Sequence, residues 1–267
     1  MDVMSWYEAF PFLFDSVLAG ILASFACGLG VFPLLIRSIN LKKHIGVGYS
    51  FAGGLMFSAS VYNLLLPALT IGRDQAVQLI PIIQILGGIM LGCWFLWFVE
   101  SHLTKERLES AFFKSMGGKT TVLVFIAMFF HSIPEGVAVG VGFSSGAHHE
   151  HLREMGIFIA IAIAIHNIPE GLAVALPMRS DGASINKCFW MAVLTSLPQP
   201  IAAIPASLAV WFFEPLMLPM FGFAAGAMMY LVIQELIPDS LETVTPTVLS
   251  WSFMAGFSLM LVVQFGL

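Results

Sequence analysis

Charge is what this sequence has least of. Of its 267 residues only 10% are Asp, Glu, Lys or Arg, while 58% are apolar. Ordinary soluble domains carry roughly 25% charged and 45–50% apolar residues. With a mean hydropathy of +0.91, a soluble globular enzyme is excluded. Cysteine is scarce too: Cys27, Cys93 and Cys188 are an odd count, each in or beside an apolar run, so a secreted disulfide scaffold is excluded. Eleven Lys and Arg against sixteen Asp and Glu, a net charge of −5, leave no basic patch for nucleic acid. Residues 1–10 carry Asp2 and Glu8 and no positive charge, so no cleavable leader is expected.

What the chain does have is long apolar runs. Eight can be read, over approximately 11–36, 45–69, 76–99, 120–143, 155–177, 188–213, 215–237 and 246–267. Each is long enough to cross a bilayer as a tilted helix. None alternates polar and apolar residues with period two, which excludes a β-barrel. The expected fold is therefore an all-α integral membrane protein, with residues 1–267 forming one transmembrane domain of eight spans.

The few basic residues are sorted. Arg37, Lys42, Lys43, Lys105, Arg107, Lys114, Lys119, Arg179 and Lys187 fall in or beside the first, third and fifth connections; only Arg73 and Arg153 fall on the other side. Positive charge marks the cytoplasmic face, so both termini are expected outside, in a plasma or inner membrane.

The chain also repeats itself. His131-Ser-Ile-Pro-Glu-Gly-Val-Ala-Val139 recurs as His166-Asn-Ile-Pro-Glu-Gly-Leu-Ala-Val174, and Phe51-Ala-Gly-Gly-Leu-Met56 resembles Phe223-Ala-Ala-Gly-Ala-Met228. Spans four and five cross in opposite directions, as do two and seven. Inverted repeats with broken helices at the midplane are characteristic of secondary transporters.

Ionisable residues within spans are functional suspects, because burying each in lipid costs a few kcal/mol. His131 and Glu135 stand four apart, as do His166 and Glu170, so each pair shares a helix face. Ser132 and Asn167 can reach the same faces. If those faces meet, two imidazoles and two carboxylates converge, a donor set suited to Zn²⁺. Pro134 and Pro169 interrupt the helix at the same depth and free carbonyls near Phe130 and Ile165.

These paired His-x-Ile-Pro-Glu-Gly motifs resemble the fourth- and fifth-helix signatures of the ZIP (Zrt/Irt-like) metal-ion transporters. The resemblance implies eight spans with both ends outside. It also implies carriage of Zn²⁺, Fe²⁺, Mn²⁺ or Cd²⁺ into the cytoplasm, with His131, Glu135, His166 and Glu170 as transport-site ligands. Many relatives carry Asn after the first His and a Glu-Pro pair in helix six; here Ser132 and Gln199 stand in those places. Two nearby divalent ions repel strongly without carboxylates to screen them. One site, with Gln199, Asn167 and Ser132 auxiliary, is therefore expected rather than a binuclear centre.

Outside the motifs, Glu235, Asp239 and Asn63 are read as exit-side waypoints, beside an equal reading as interfacial capping or anchoring residues. His148, His149 and His151, in the connection between spans four and five, are candidates for metal capture at the entrance, beside the reading as a solvated loop. Metal is substrate here and no prosthetic group is expected. The partners expected are divalent ions and the lipid bilayer, with a homodimer as the assembly considered. The other functional readings are a proton-driven cation exporter and an intramembrane metalloenzyme. The second lacks both His-Glu-x-x-His and the Glu-x-x-His spacing of di-iron bundles.

Overall fold

A computed structural model describes residues 10–35, 41–73, 79–102, 119–148, 152 and 154–266. Among the described residues the chain is helical with no strand. Eight helices are long and apolar enough to cross a membrane. They are α1 Pro11–Leu35, α2 Ile45–Ile71, α3 Leu79–His102, α4 Phe125–Ala147, α5 Met155–Arg179, α6 Ile185–Phe212, α7 Glu214–Leu241 and α8 Pro246–Phe265. Glu100, which the hydropathy reading leaves just beyond the third span, thus falls inside α3.

Several spans are not regular α-helices. Ser60–Leu65 in α2 and Val232–Leu236 in α7 are π-helical turns. A proline follows each, Pro67 and Pro238. Proline brings no N–H to bond the carbonyl four residues earlier, so the helix widens there instead of continuing. In α2 the side-chain amide of Gln264, from α8, donates to the loosened Tyr62 carbonyl at 3.2 Å. α6 is broken outright: Ile185–Thr195 stops before Pro198, and a second helix runs Pro198–Phe212.

The helices pack in two groups. α4 lies on α6 and α5, with α1 against α5 and α6. In the other group α3 lies on α7, and α8 on α2. The groups meet where α4 touches α7 and where α5 touches α2. This pattern is internally symmetric. Exchanging α1 with α6, α2 with α7, α3 with α8 and α4 with α5 converts each of these contacts into another of them or into itself.

Lipid supplies no hydrophobic drive between helices, so close approach rests on small residues and buried hydroxyls. Cβ atoms on Gly88 and Gly92 of α3 would strike the Pro219 and Phe223 carbonyls of α7, and one on Gly256 of α8 would strike the Phe51 carbonyl of α2. Between α1, α4 and α6, Ser207 Oγ meets Ser16 Oγ at 3.1 Å and donates to the Gly140 carbonyl at 3.1 Å. α4 is the most buried span and α8 the least. The first copy of the repeated motif therefore sits on the most buried span of the bundle.

Candidate metal site

Both motif copies lie on α4 and α5 where these cross, and both have close glycine contacts behind them. A Cβ on Gly136 would meet the Gln199 backbone of α6, and one on Gly171 the Cys27 backbone of α1. The glycines let α6 and α1 press against the helices that carry the glutamates.

The convergence expected of His131, Glu135, His166 and Glu170 is corrected by the geometry. Two groups form instead of one. Glu135, His166 and Glu170 place one donor atom each within 4.8 Å of one another, and all three are buried. His131 is outside that set and joins Glu100 of α3 and Glu235 of α7 under the same 4.8 Å limit. On a helix, positions 131 and 135 are about 6 Å apart along the axis. The neighbouring α7 is close enough to draw the imidazole to its own carboxylate.

In the first group His166 Nε2 is 3.1 Å from Glu135 Oε1. Gln199 Nε2 donates to the other oxygen, Glu135 Oε2. Asn167 Nδ2 donates to Gln199 Oε1 at 3.2 Å and to the Ala23 carbonyl at 2.9 Å. Gln199 and Asn167 thus hold Glu135 through a buried amide chain. Ser132 takes no part in it: its hydroxyl donates to the Met128 carbonyl in its own helix at 3.1 Å.

In the second group His131 Nε2 is 3.7 Å from Glu235 Oε1 and 4.0 Å from Glu100 Oε1. The two carboxylate side chains are each 23% exposed, whereas His131 is 3% exposed. This group opens toward one end of the bundle; the first does not.

Both groups suit a divalent cation. Zinc held at ~2.0–2.2 Å by imidazole and carboxylate donors brings those donors to about 3.3 Å of one another. The separations here need only modest closure. Two carboxylates per group balance two positive charges. Moreover, His131 Nδ1, His166 Nδ1, Asn167 Oδ1, Glu170 Oε1 and Glu100 Oε1 are buried without a hydrogen-bond partner among the described residues. Leaving a buried polar atom unsatisfied costs roughly 1–3 kcal/mol, so polar groups gathered this way are arranged for something other than stability.

The remaining sequence candidates fall in different places. Asp239 is exposed, one turn beyond Glu235 on α7. Asn63 is not among the donors gathered with Glu235. It lines a small void with Ala138, Ile159, Ile163 and Met228, toward the opposite end of α4. Because α2 and α7 run antiparallel, equivalent positions on them face opposite ends of the bundle. His149 and His151 lie outside the described residues, as does the side chain of His148. Sequence reasoning missed Glu100, whose signal was a carboxylate closing a long apolar run. It also missed Gln264, a single amide in the last span with no motif to mark it.

Known proteins resemble this chain along most of its length. The family model described as "ZIP Zinc transporter" matches residues 111–264. "Zinc transporter GufA" of Myxococcus xanthus is 32% identical over 256 residues, covering 91% of this chain and 96% of its own. "Zinc transporter ZIPB" of Bordetella bronchiseptica is 30% identical over 256 residues, 92% of this chain and 79% of its own. "Zinc transporter ZIP11" of Xenopus tropicalis is 42% identical over a shorter stretch of 151 residues, 55% of this chain and 44% of its own. An eight-helix bundle, a duplicated His-x-Ile-Pro-Glu-Gly motif on α4 and α5 and full-length similarity to GufA lead to one conclusion: the chain belongs to the ZIP zinc transporter family.

Proposed function

We propose that this protein carries divalent transition-metal ions, Zn²⁺ foremost, across a membrane into the cytoplasm. Fe²⁺, Mn²⁺ and Cd²⁺ fit the same mixed imidazole–carboxylate donors. The observation that carries the reading is the buried Glu135–His166–Glu170 set at the crossing of α4 and α5, with its unpartnered donor atoms. Relatives named as zinc transporters support the choice of ion.

The ion's path follows the carboxylates. Glu135 and His166 receive it, Glu170 shares it, and His131, Glu235 and Glu100 take it toward the end where their side chains are partly exposed. The exposed end is the one where α3 finishes and α4 begins. The Lys and Arg of the third connection belong to that end, which is the cytoplasmic side by charge. On the other side Ala138, Ile159, Ile163 and Met228 pack around a void of about 10 Å³, room for about one water. In this reading the carrier faces inward. Movement of the group containing α4 and α5 against the group containing α2 and α7 would open the other side.

Uptake of Zn²⁺ into reconstituted vesicles tests this. Wild-type protein takes up the ion, and Glu135→Ala and Glu170→Ala each reduce uptake at least about tenfold, as expected for removal of a direct ligand. Full uptake by both variants would refute the assignment.

A further inference from the structure

The internal symmetry holds residue by residue. A shift of 172 carries Phe51 onto Phe223, Leu55 onto Ala227 and Cys27 onto Gln199; a shift of 164 carries Gly92 onto Gly256. The contacts move with them. Gly92 presses on the Phe223 carbonyl and the Ala227 nitrogen, and Gly256 on the Phe51 carbonyl and the Leu55 nitrogen. Gly136 presses on Gln199, and Gly171, 35 residues later, presses on Cys27. The same correspondence can be applied to the inner ion set. Glu235 maps to Asn63, His131 to His166 and Glu100 to Gln264. The imidazole is kept and both carboxylates become carboxamides.

The local structure agrees. Asn63 stands on the π turn Ser60–Leu65 as Glu235 stands on the π turn Val232–Leu236. Its side chain is buried, 5% exposed. It lines the small void together with Ala138 and Ala162. These alanines are one helical turn outward of Glu135 and His166 on the same faces. Gln264 donates to the carbonyl of Tyr62, the residue next to Asn63, and its own Oε1 is buried without a partner.

We propose that Asn63, His166 and Gln264 form the ion-receiving set of the outward-facing state, the uncharged counterpart of Glu235, His131 and Glu100. The proposal rests on the transport reading above. When the bundle opens on the side of the α4–α5 connection, the amide oxygens of Asn63 and Gln264 replace part of the ion's hydration shell. Without carboxylates this set leaves the ion's charge uncompensated, so the ion is held loosely and moves on to Glu135 and Glu170. The repeat copies the scaffold of a site and differs in its charge.

The test is Zn²⁺ uptake into vesicles in which the α4–α5 connection faces outward, over a range of external concentrations. Asn63→Ala and Gln264→Ala are each expected to raise KM about threefold or more, with the maximal rate within about twofold of wild type. The double variant Asn63→Asp/Gln264→Glu, close in shape, is expected to lower KM about threefold or more and to lower the maximal rate as the ion lingers. A packing role predicts less folded protein or a lower rate with KM unmoved in all variants, and that result overturns the proposal. If the alanine variants do not fold, the acidic pair decides it: a fall in KM supports the proposal and an unchanged or raised KM overturns it. Absence of uptake by wild-type protein would remove the transport reading and this proposal with it. Normal wild-type uptake with an unchanged KM in the variants removes only the proposal.

Discussion

His131 and His166 occupy the same place in two copies of one motif, yet they do different things. His166 is fully buried and bonds Glu135 across the α4–α5 crossing. His131 faces away from that crossing, toward Glu235 and Glu100 at the partly exposed end. The local sequence and the helix are the same; the neighbour differs, because α7 covers α4 on one side of the bundle while α2 covers α5 on the other. A duplicated motif thus yields two separate donor groups when an antiparallel repeat gives its copies different neighbours.

The sharpest test of that difference is a pair of substitutions. His166→Ala removes a donor from the central set and is expected to lower Zn²⁺ uptake efficiency by about tenfold to a hundredfold, whereas His131→Ala should cost several-fold less. Concentration-dependent uptake rates measure both; equal losses would break the comparison. A smaller effect is expected from Gln199→Leu. It leaves Glu135 Oε2 and one Asn167 amide hydrogen without their partners in a buried chain. The expected loss is roughly 1–3 kcal/mol, visible as a lower unfolding temperature in detergent, with no matching loss from Ser132→Ala, whose hydroxyl serves only its own helix. The smallest effect belongs to Glu100→Gln. This carboxylate is at the 4.0 Å edge of His131 and is partly in contact with solvent. Its removal should change uptake by only about twofold to threefold, because 4.0 Å is too long for a hydrogen bond to the imidazole. A larger loss would make Glu100 a principal ligand.

Much of this architecture is legible in the sequence. The eight spans are readable because a bilayer-crossing helix must be continuously apolar, and soluble folds seldom contain apolar runs of that length. His131, Glu135, His166 and Glu170 stand out because ionisable residues are rare and costly in such runs. The π turns are not legible: Pro67 and Pro238 signal a disturbance but not its form. Glu100 escapes notice because it sits at a boundary, and hydropathy does not say how deep a helix end lies. Gln264 has no local signal at all, since its meaning comes from the helix it faces.

Local sequence is enough to dictate the class of molecule, the number of apolar spans and the four ionisable residues that the repeated motif carries into them. These depend on composition and on spacing along single helices, which a chain carries with it into any fold. How the four are shared is a matter of packing in three dimensions. Partition of His131 from Glu135, the use of Gln199 as a brace and the placing of Asn63 opposite Glu235 all depend on which helix lies beside which. Helices in lipid choose neighbours through small-residue contacts and buried hydroxyls scattered over distant segments. No single stretch of sequence records that choice.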